Sequence, residues 1–227
     1  TIKLISYESA EMAKISTNIY LASQVNTTNS LTEICEKVGA DWREIQPILE
    51  QDKRIGTYLN PGLGLSGGHL ERDLETIKDI NKFYLKDSKE LRGKWILNTL
   101  YSLYILKDNP TIAIWGLTYK PNTSSIKNSP GIDLIHYLRS YILKIYDPYN
   151  IVTWQACASC DSPEDAAHNA DILCILTADQ QYSKLSLENL KQHMKGNIII
   201  DPYGILNHEE CIKIGFKHFQ LGVPIYK

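Results

Sequence analysis

Thr111-Ile112-Ala113-Ile114-Trp115-Gly116 stands directly behind Asn109-Pro110 and reads as a buried strand that breaks into a loop at its glycine. A short apolar run bounded by turn residues marks a strand covered on both faces. From here to the end, strand and helix alternate. Ser129 and Pro130 open a helix to about Arg139, because a serine oxygen takes an orphan helix N–H and proline lacks one that the first turn leaves unpaired. Strands follow at Ile142 to Tyr146, Asp171 to Thr177 and Asn197 to Ile200, and Phe216 to Gln220 adds a last one. Glu164 to Asn169 and Ser186 to Met194 read as the helices between them, and Thr153 to Asp161 as loop. Strands separated by roughly 10 to 20 residues with helical crossovers predict a parallel, doubly wound sheet.

Upstream the pattern is helical. From Glu8 to Val38, Ala10, Ala13, Ile19, Leu21, Ala22, Val25, Leu31, Ile34 and Val38 recur at mixed spacings of three and four, and Gly39 supplies a C-cap. Asp41 caps a short helix through Leu49, and further helices are expected from Asp73 to about Leu85 and from Ser88 to Lys107, with no strand before residue 110. A helix of about 30 residues with apolar side chains on more than one face usually buries one against a partner chain. The expectation is an α/β protein with an all-α central dimerisation layer over 1–108 and a parallel-sheet α/β domain over 109–227, forming a homodimer through the long helix near 8–38.

The chain has 227 residues, and 24 Lys and Arg against 26 Asp and Glu give a net charge of -2. No basic block could neutralise many phosphates, which argues against nucleic acid. Five cysteines read as free thiols in a reducing compartment, so the cytoplasm is expected. Cys157 and Cys160 have C-x-x-C spacing, but no second pair follows for zinc, and a redox pair belongs at a helix N-terminus. They read as incidental, with a thiol oxidoreductase as a remote alternative. His136, His168, His193, His208 and His218 lack metal-like spacing, and no metal is expected. No apolar run nears the ~20 residues that span a bilayer, and the start lacks an apolar signal region. The first residue is not methionine, which reads as a piece of a longer chain.

Pro61-Gly62-Leu63-Gly64-Leu65-Ser66-Gly67-Gly68-His69-Leu70-Glu71-Arg72-Asp73 is the segment richest in chemical meaning. Glycines let backbone amides approach a ligand closely, so this run can wrap one. Gly62, Gly64 and Gly67 satisfy G-x-G-x-x-G, but the turn Tyr58-Leu59-Asn60-Pro61 precedes them where a dinucleotide fingerprint needs a strand. Lys14 and Asn18, one helical turn apart, project from one face and could hold a water or stabilise an oxyanion; alone, such a pair reads as solvated surface. Asp73 is by default an N-cap, and a general base only beside other groups that demand it. The loop Gly116 to Thr123 leaves the C-terminal edge of the first strand, where open α/β sheets bind ligands, and Lys120 there could meet a phosphate.

In sequence order these segments resemble the UDP-glucose/GDP-mannose dehydrogenase family, its central and Rossmann-like C-terminal domains. Ser9-Ala10-Glu11 with Lys14 and Asn18, Gly39-Ala40-Asp41, Asp52 to Gly56, Pro61 to Leu74, Gly116 to Pro130, Tyr146-Asp147-Pro148, Ala170-Asp171 with Thr177, and Ile200-Asp201 carry the resemblance. It implies oxidation of the C6 alcohol of a UDP-sugar in two NAD-dependent steps through a cysteine thiohemiacetal. It further implies that Lys14 and Asn18 polarise the C6 oxygen, that Asp73 assists proton transfer to water, and that Tyr58, Asn60, Gly62, Gly64, Gly67 and Gly68 wrap the sugar and diphosphate. Lys120 falls on a substrate-site lysine, and Lys127 and Tyr203 fall where arginines contact cofactor or substrate. NAD is expected on an N-terminal domain outside these residues, and no cofactor on this chain alone. His69, or in a shifted register Leu70, takes the position of the cysteine, and the nearest thiol in sequence, Cys35, belongs to the long helix. Glu71 stands for proline, Ser124-Ser125 for an acidic pair, Lys127 for arginine, and Tyr203 carries no cation. The resemblance therefore implies impaired catalysis, or a non-enzymatic protein that keeps the dimer interface and the sugar-nucleotide pocket.

Overall fold

Six strands, β1 (Thr111–Trp115), β2 (Ile142–Tyr146), β3 (Cys157–Ser159), β4 (Ile172–Ile175), β5 (Ile198–Ile200) and β6 (Lys217–Phe219), form one sheet in the computed structural model, which describes residues 4–64, 72–73, 94–103, 105–152 and 157–224. Their order is β3-β2-β1-β4-β5-β6, and every neighbouring pair is parallel. The order reverses between β1 and β4, so the loops that leave these two strands diverge over a crevice. The apolar run that begins at Thr111 is thus the centre of the sheet.

Alternation along β1 decides how the sheet is covered. Ile112 and Ile114 join one buried cluster and Ala113 and Trp115 another, because successive side chains leave a strand on opposite faces. On the first face lie α3 (Trp95–Ser102) and α4 (Pro130–Tyr137), through Trp95, Ile96, Leu100, Leu134 and Ile135. On the second lie α5 (Pro163–Ala167), α6 (Leu187–His193) and α7 (His208–Ile214). Ser129 accepts the Gly131 N–H with Pro130 in the first turn of α4, as the sequence predicts.

Three local expectations change. The segment read as loop contains β3, which pairs with β2 from Leu143 opposite Cys157 to Ile145 opposite Ser159. At three residues on a sheet edge it is too short and too exposed to show an apolar pattern. Cys157 packs against the first cluster and Cys160 against the second, so the two sulfurs lie on opposite faces of the sheet, and burial raises both thiols above their ordinary range. That removes the thiol oxidoreductase reading. The helix expected over 88–107 is α3 alone, followed by a 3-10 turn at Ile105–Asp108; residues 88–93 lie outside the described residues, as does the helix expected after Asp73. α7 has no counterpart in the sequence reading, although Asn207 caps its start and Gly215, at φ 95°, its end.

Ahead of the sheet stand α1 (Tyr7–Val38) and α2 (Trp42–Leu49). Ser6 accepts the Ser9 N–H at the start of α1, and Gly39 ends it in the left-handed conformation at φ 77°. The sheet's last turn docks between the two helices. Gly222 N–H donates to Glu36 Oε1 at 2.7 Å, and Trp42 N–H donates to the Gly222 carbonyl at 3.0 Å. Gly222 sits at φ 75°, and a Cβ there would come within 2.7 Å of Trp42 Cβ, so close approach requires glycine. Arg43 adds an ion bridge between Asp41 at 2.7 Å and Glu209 of α7 at 3.0 Å. Among the described residues no helix is long and apolar enough to cross a membrane, and no cluster could hold a metal ion.

Candidate functional site

α1 presents two unlike faces. Asn18, Ala22, Val25, Asn29, Thr32 and Glu36 recur at spacings of three and four; Ala22, Asn29 and Thr32 are buried and the others half-buried. Two residues beyond these positions, about 200° round the helix, stand Tyr20, Gln24, Thr27, Leu31, Ile34 and Val38. All of them except the half-buried Gln24 are exposed.

The inner face grips the glycine segment at both ends. Asn18 Nδ2 donates to Asp73 Oδ2 at 2.6 Å across 55 positions of sequence. Arg72 Nε and Nη2 both donate to Asp73 Oδ1 at 3.1 Å. Asp73 is only 6% exposed. Burial works to raise its carboxyl, but the Asn18 hydrogen bond, the Arg72 guanidinium and the Lys14 ammonium outweigh it and hold the group below the usual carboxylate range. Asn18, Arg72 and Lys14 therefore all act on Asp73, which at neutral pH is a carboxylate that accepts hydrogen bonds.

About three turns along, Thr28 Oγ1 donates to the Tyr58 carbonyl at 2.7 Å and the Gly62 N–H donates to Asn29 Oδ1 at 2.9 Å. Trp42 Nε1 donates to the Leu59 carbonyl at 3.0 Å, and Asn60 Oδ1 accepts from Gln46 at 3.1 Å. Tyr58 is partly exposed, and Gly64 has a positive φ of 102°. A Cβ at Gly62 would meet no described atom within 4 Å. Gly67, Gly68 and His69 lie outside the described residues. Cys35 is 17 positions beyond Asn18 on α1, about 25 Å away along the helix axis, so it is no substitute for a thiol at Asp73. The sequence reading missed Thr28 and Asn29. Their signal was a Thr-Asn pair where the inner series from Ala22 and Val25 calls for an apolar residue next.

At the C-terminal edge of the sheet the loops after β1, β2 and β4 are tied together. Gly116, at φ 91°, packs so closely on Thr177 that a Cβ would lie 2.3 Å from its Oγ1. Thr177 Oγ1 donates to the Thr118 carbonyl at 2.8 Å, and Thr118 Oγ1 donates to that of Lys120 at 2.9 Å. Lys120 is exposed, its ammonium 5.5 Å from the centre of the Tyr119 ring, and Lys127 is exposed further along the same loop. Tyr203 follows β5 and is half-buried against the first core cluster.

A dinucleotide on such a sheet needs a short glycine turn running from the first strand into a helix, and an acid at the end of the second strand free to take the ribose. Here Asp147 Oδ2 accepts the Leu117 N–H at 2.6 Å, and its Oδ1 accepts the N–H groups of Tyr149 and Asn150 at 2.9 Å. The acid is committed to shaping the loop, and the connection from Gly116 to the Ser129 cap is long. The sheet's residues do not fit a dinucleotide.

Two family models match the chain: the UDP-glucose/GDP-mannose dehydrogenase family central domain over residues 8–89, and the UDP-binding domain of the same family over residues 113–208. The UDP-glucose 6-dehydrogenase of Rickettsia bellii is 30% identical over 236 residues, covering 95% of this chain and 54% of that protein. The UDP-glucose 6-dehydrogenase YwqF of Bacillus subtilis is likewise 30% identical, over 94% of this chain and 52% of its own length. The chain spans about half the length of these curated relatives. Among solved structures, a UDP-D-ManNAc dehydrogenase from Pyrococcus horikoshii superposes with a TM-score of 0.78 at 23% identity, over 94% of this chain and 52% of that one. An NDP-N-acetyl-D-galactosaminuronic acid dehydrogenase from Methanosarcina mazei gives 0.79 at 20% identity, over 97% and 52%. At these identities the structures speak for the fold.

Proposed function

The chain belongs to the UDP-glucose/GDP-mannose dehydrogenase family, and on that footing we propose that it is the sugar-binding and UDP-binding portion of a UDP-sugar dehydrogenase. It divides into a helical dimerisation domain, 1–108, whose α3 packs onto the sheet, and a UDP-binding domain, 109–227. Lys14 and Asn18 polarise the oxygen at the sugar's C6. Asp73 assists proton transfer to water there. The backbone from Tyr58 through Asn60, Gly62, Gly64, Gly67 and Gly68 wraps the sugar and diphosphate, and Lys120 neutralises phosphate charge. Lys127 and Tyr203 border the cofactor side. NAD supplies hydride acceptance in such enzymes and is held by a domain outside these residues, since the sheet here does not fit it.

The pairing of Asn18 with a charged, nearly buried Asp73 is the observation that supports this reading most. Asn18, Arg72 and Lys14 keep this carboxylate charged and oriented, as a group that serves a substrate must be. With His69 or Leu70 at the thiol position, the covalent aldehyde adduct that permits a second oxidation is lacking. Catalysis is therefore impaired. A protein that binds the nucleotide sugar without oxidising it is the second reading, favoured by the same substitution.

Melting in the presence of UDP-glucose, UDP and GDP-mannose tests the assignment: UDP-glucose raises Tm most, and no shift with any of the three refutes it. Formation of two NADH per UDP-glucose by the protein that carries these residues contradicts impairment. No turnover together with tight binding selects the second reading.

The outer face of α1 serves a second copy of the chain. Tyr20, Leu31, Ile34 and Val38 expose an apolar stripe at coiled-coil spacing. Leu31→Lys with Ile34→Lys converts a dimer to a monomer in sedimentation; unchanged mass removes this face as the interface.

A further inference from the structure

Thr28 and Asn29 belong to neither the polarising group nor the outer stripe, yet both are almost wholly buried polar side chains, 3% and 1% exposed. Buried threonine and asparagine are unfavourable unless their hydrogen bonds are made, and here the described bonds run to the segment that opens the glycine wrap. Thr28 holds the Tyr58 carbonyl at 2.7 Å and Asn29 holds the Gly62 N–H at 2.9 Å. Asn18 holds the exit of the same segment through Asp73. Asn18 and Asn29 are 11 positions apart, about three turns of helix, so they share a face and stand about 16 Å apart along the axis.

We propose that Thr28 and Asn29 are positioning residues of the wrap, and that α1 acts as a rigid spacer fixing its entrance at Tyr58–Gly62 against its exit at Asp73. A helix is the stiffest element available for this, because its length is set by its own hydrogen bonds and not by the ligand. Tyr58 and Gly62, at the entrance, are each held by a side chain of this helix. The spacing suits a diphosphate-linked sugar lying along the helix better than a lone hexose. This deepens the proposed function and rests on it for the identity of the ligand; the bracing of the loop does not. Thr28 and Asn29 touch no reacting atom in this account.

The test is amide hydrogen exchange on the ligand-free chain, followed by titration with UDP-glucose. Thr28→Val keeps the side chain's shape and removes its donor; Thr28→Ser restores the donor. Thr28→Val and Asn29→Ala are expected to speed exchange at Gly62 by about tenfold or more while the amides of β1, β4 and β5 keep their protection. Thr28→Ser returns Gly62 to the wild-type rate. UDP-glucose affinity falls by about tenfold in Thr28→Val with little change in Tm, and glucose does not compete. Unchanged exchange at Gly62 in both variants overturns the proposal. So does acceleration spread equally over the sheet, which makes the two residues general stabilisers. If the wild-type chain ignores UDP-glucose, the ligand assignment fails, and exchange at Gly62 still decides the bracing.

Discussion

In β1 and β4 the residues from Ile112 to Trp115 and from Ile172 to Ile175 are apolar and fully covered, whereas the buried side of α1 consists of Ala22, Thr28, Asn29, Thr32 and Cys35. The sheet is held by non-directional burial of side chains on both faces, which tolerates imprecision in angle. The inner face of α1 is held by hydrogen bonds and charge, which are directional and costly to leave unmade. That difference sets the candidate site apart from its scaffold. A scaffold can be apolar throughout, but a surface that must hold a loop and a charged group in register cannot.

The contrast can be broken most forcefully in the sheet. Trp115 is fully buried, stacks on Tyr182 with ring centres 5.2 Å apart, and donates its Nε1–H to the Pro163 carbonyl at 2.8 Å. Trp115→Ala is expected to cost about 3–5 kcal/mol in denaturant unfolding; a loss below about 1 kcal/mol would remove the claim that this face is well packed. Next comes the seam between the two regions. Gly222→Ala forces a Cβ into Trp42 at a left-handed backbone and should cost about 1–3 kcal/mol, with faster exchange at the Trp42 amide. Wild-type exchange there would show that the turn is not a fixed joint.

On α1 the stability effects are smaller. Asn18→Ala removes one hydrogen bond to a carboxylate, worth about 1.5–3 kcal/mol at most for a charged acceptor, and less where Lys14 and Arg72 still neutralise Asp73. Because Asp73 sits below its ordinary range, its contribution is present above about pH 3.9, the unfolded value, and is lost as pH falls through the folded one. The acid limb of the stability curve should therefore move upward in Asn18→Ala. An unmoved limb would mean that Asn18 does not hold the carboxylate.

The smallest effect belongs to His208, in the groove where α2 meets α7, with Nδ1 3.2 Å from Nδ1 of His218. Burial, the neighbouring His218 and the Arg43 charge push His208 below its ordinary value, against Glu209 and Asp41, which act the other way. The folded state thus holds fewer protons than the unfolded one, so stability rises with pH up to about 6.5, the unfolded value, and falls below it. His208→Gln flattens this slope in melts between pH 5 and pH 7. A slope unchanged in the variant assigns the effect to another group.

The sheet was legible because its signals are local. Thr111 to Trp115 is apolar without a break, Ser129-Pro130 is a helix start, and Asp147-Pro148 and Asp201-Pro202 end strands. β3 was not, since three edge residues, two of them exposed, carry no pattern and owe their conformation to pairing with β2. α3 reads as part of the helical layer but packs in the sheet's core, a tertiary fact that Trp95 and Leu100 cannot announce by periodicity. Of the candidate site, Lys14, Asn18 and Asp73 came from motif order. The meeting of Asn18 with Asp73 across 55 residues is invisible to any window along the chain. Thr28 and Asn29 hid behind the assumption that a helix buries apolar residues.

Calorimetric titration of the chain with UDP-glucose, beside a variant carrying Asn18→Ala and Asp73→Asn, tests the central claim most directly. One site of roughly micromolar affinity is expected, weakened at least about tenfold in the variant. Equal affinity in the two proteins, or no heat of binding with either, would contradict it.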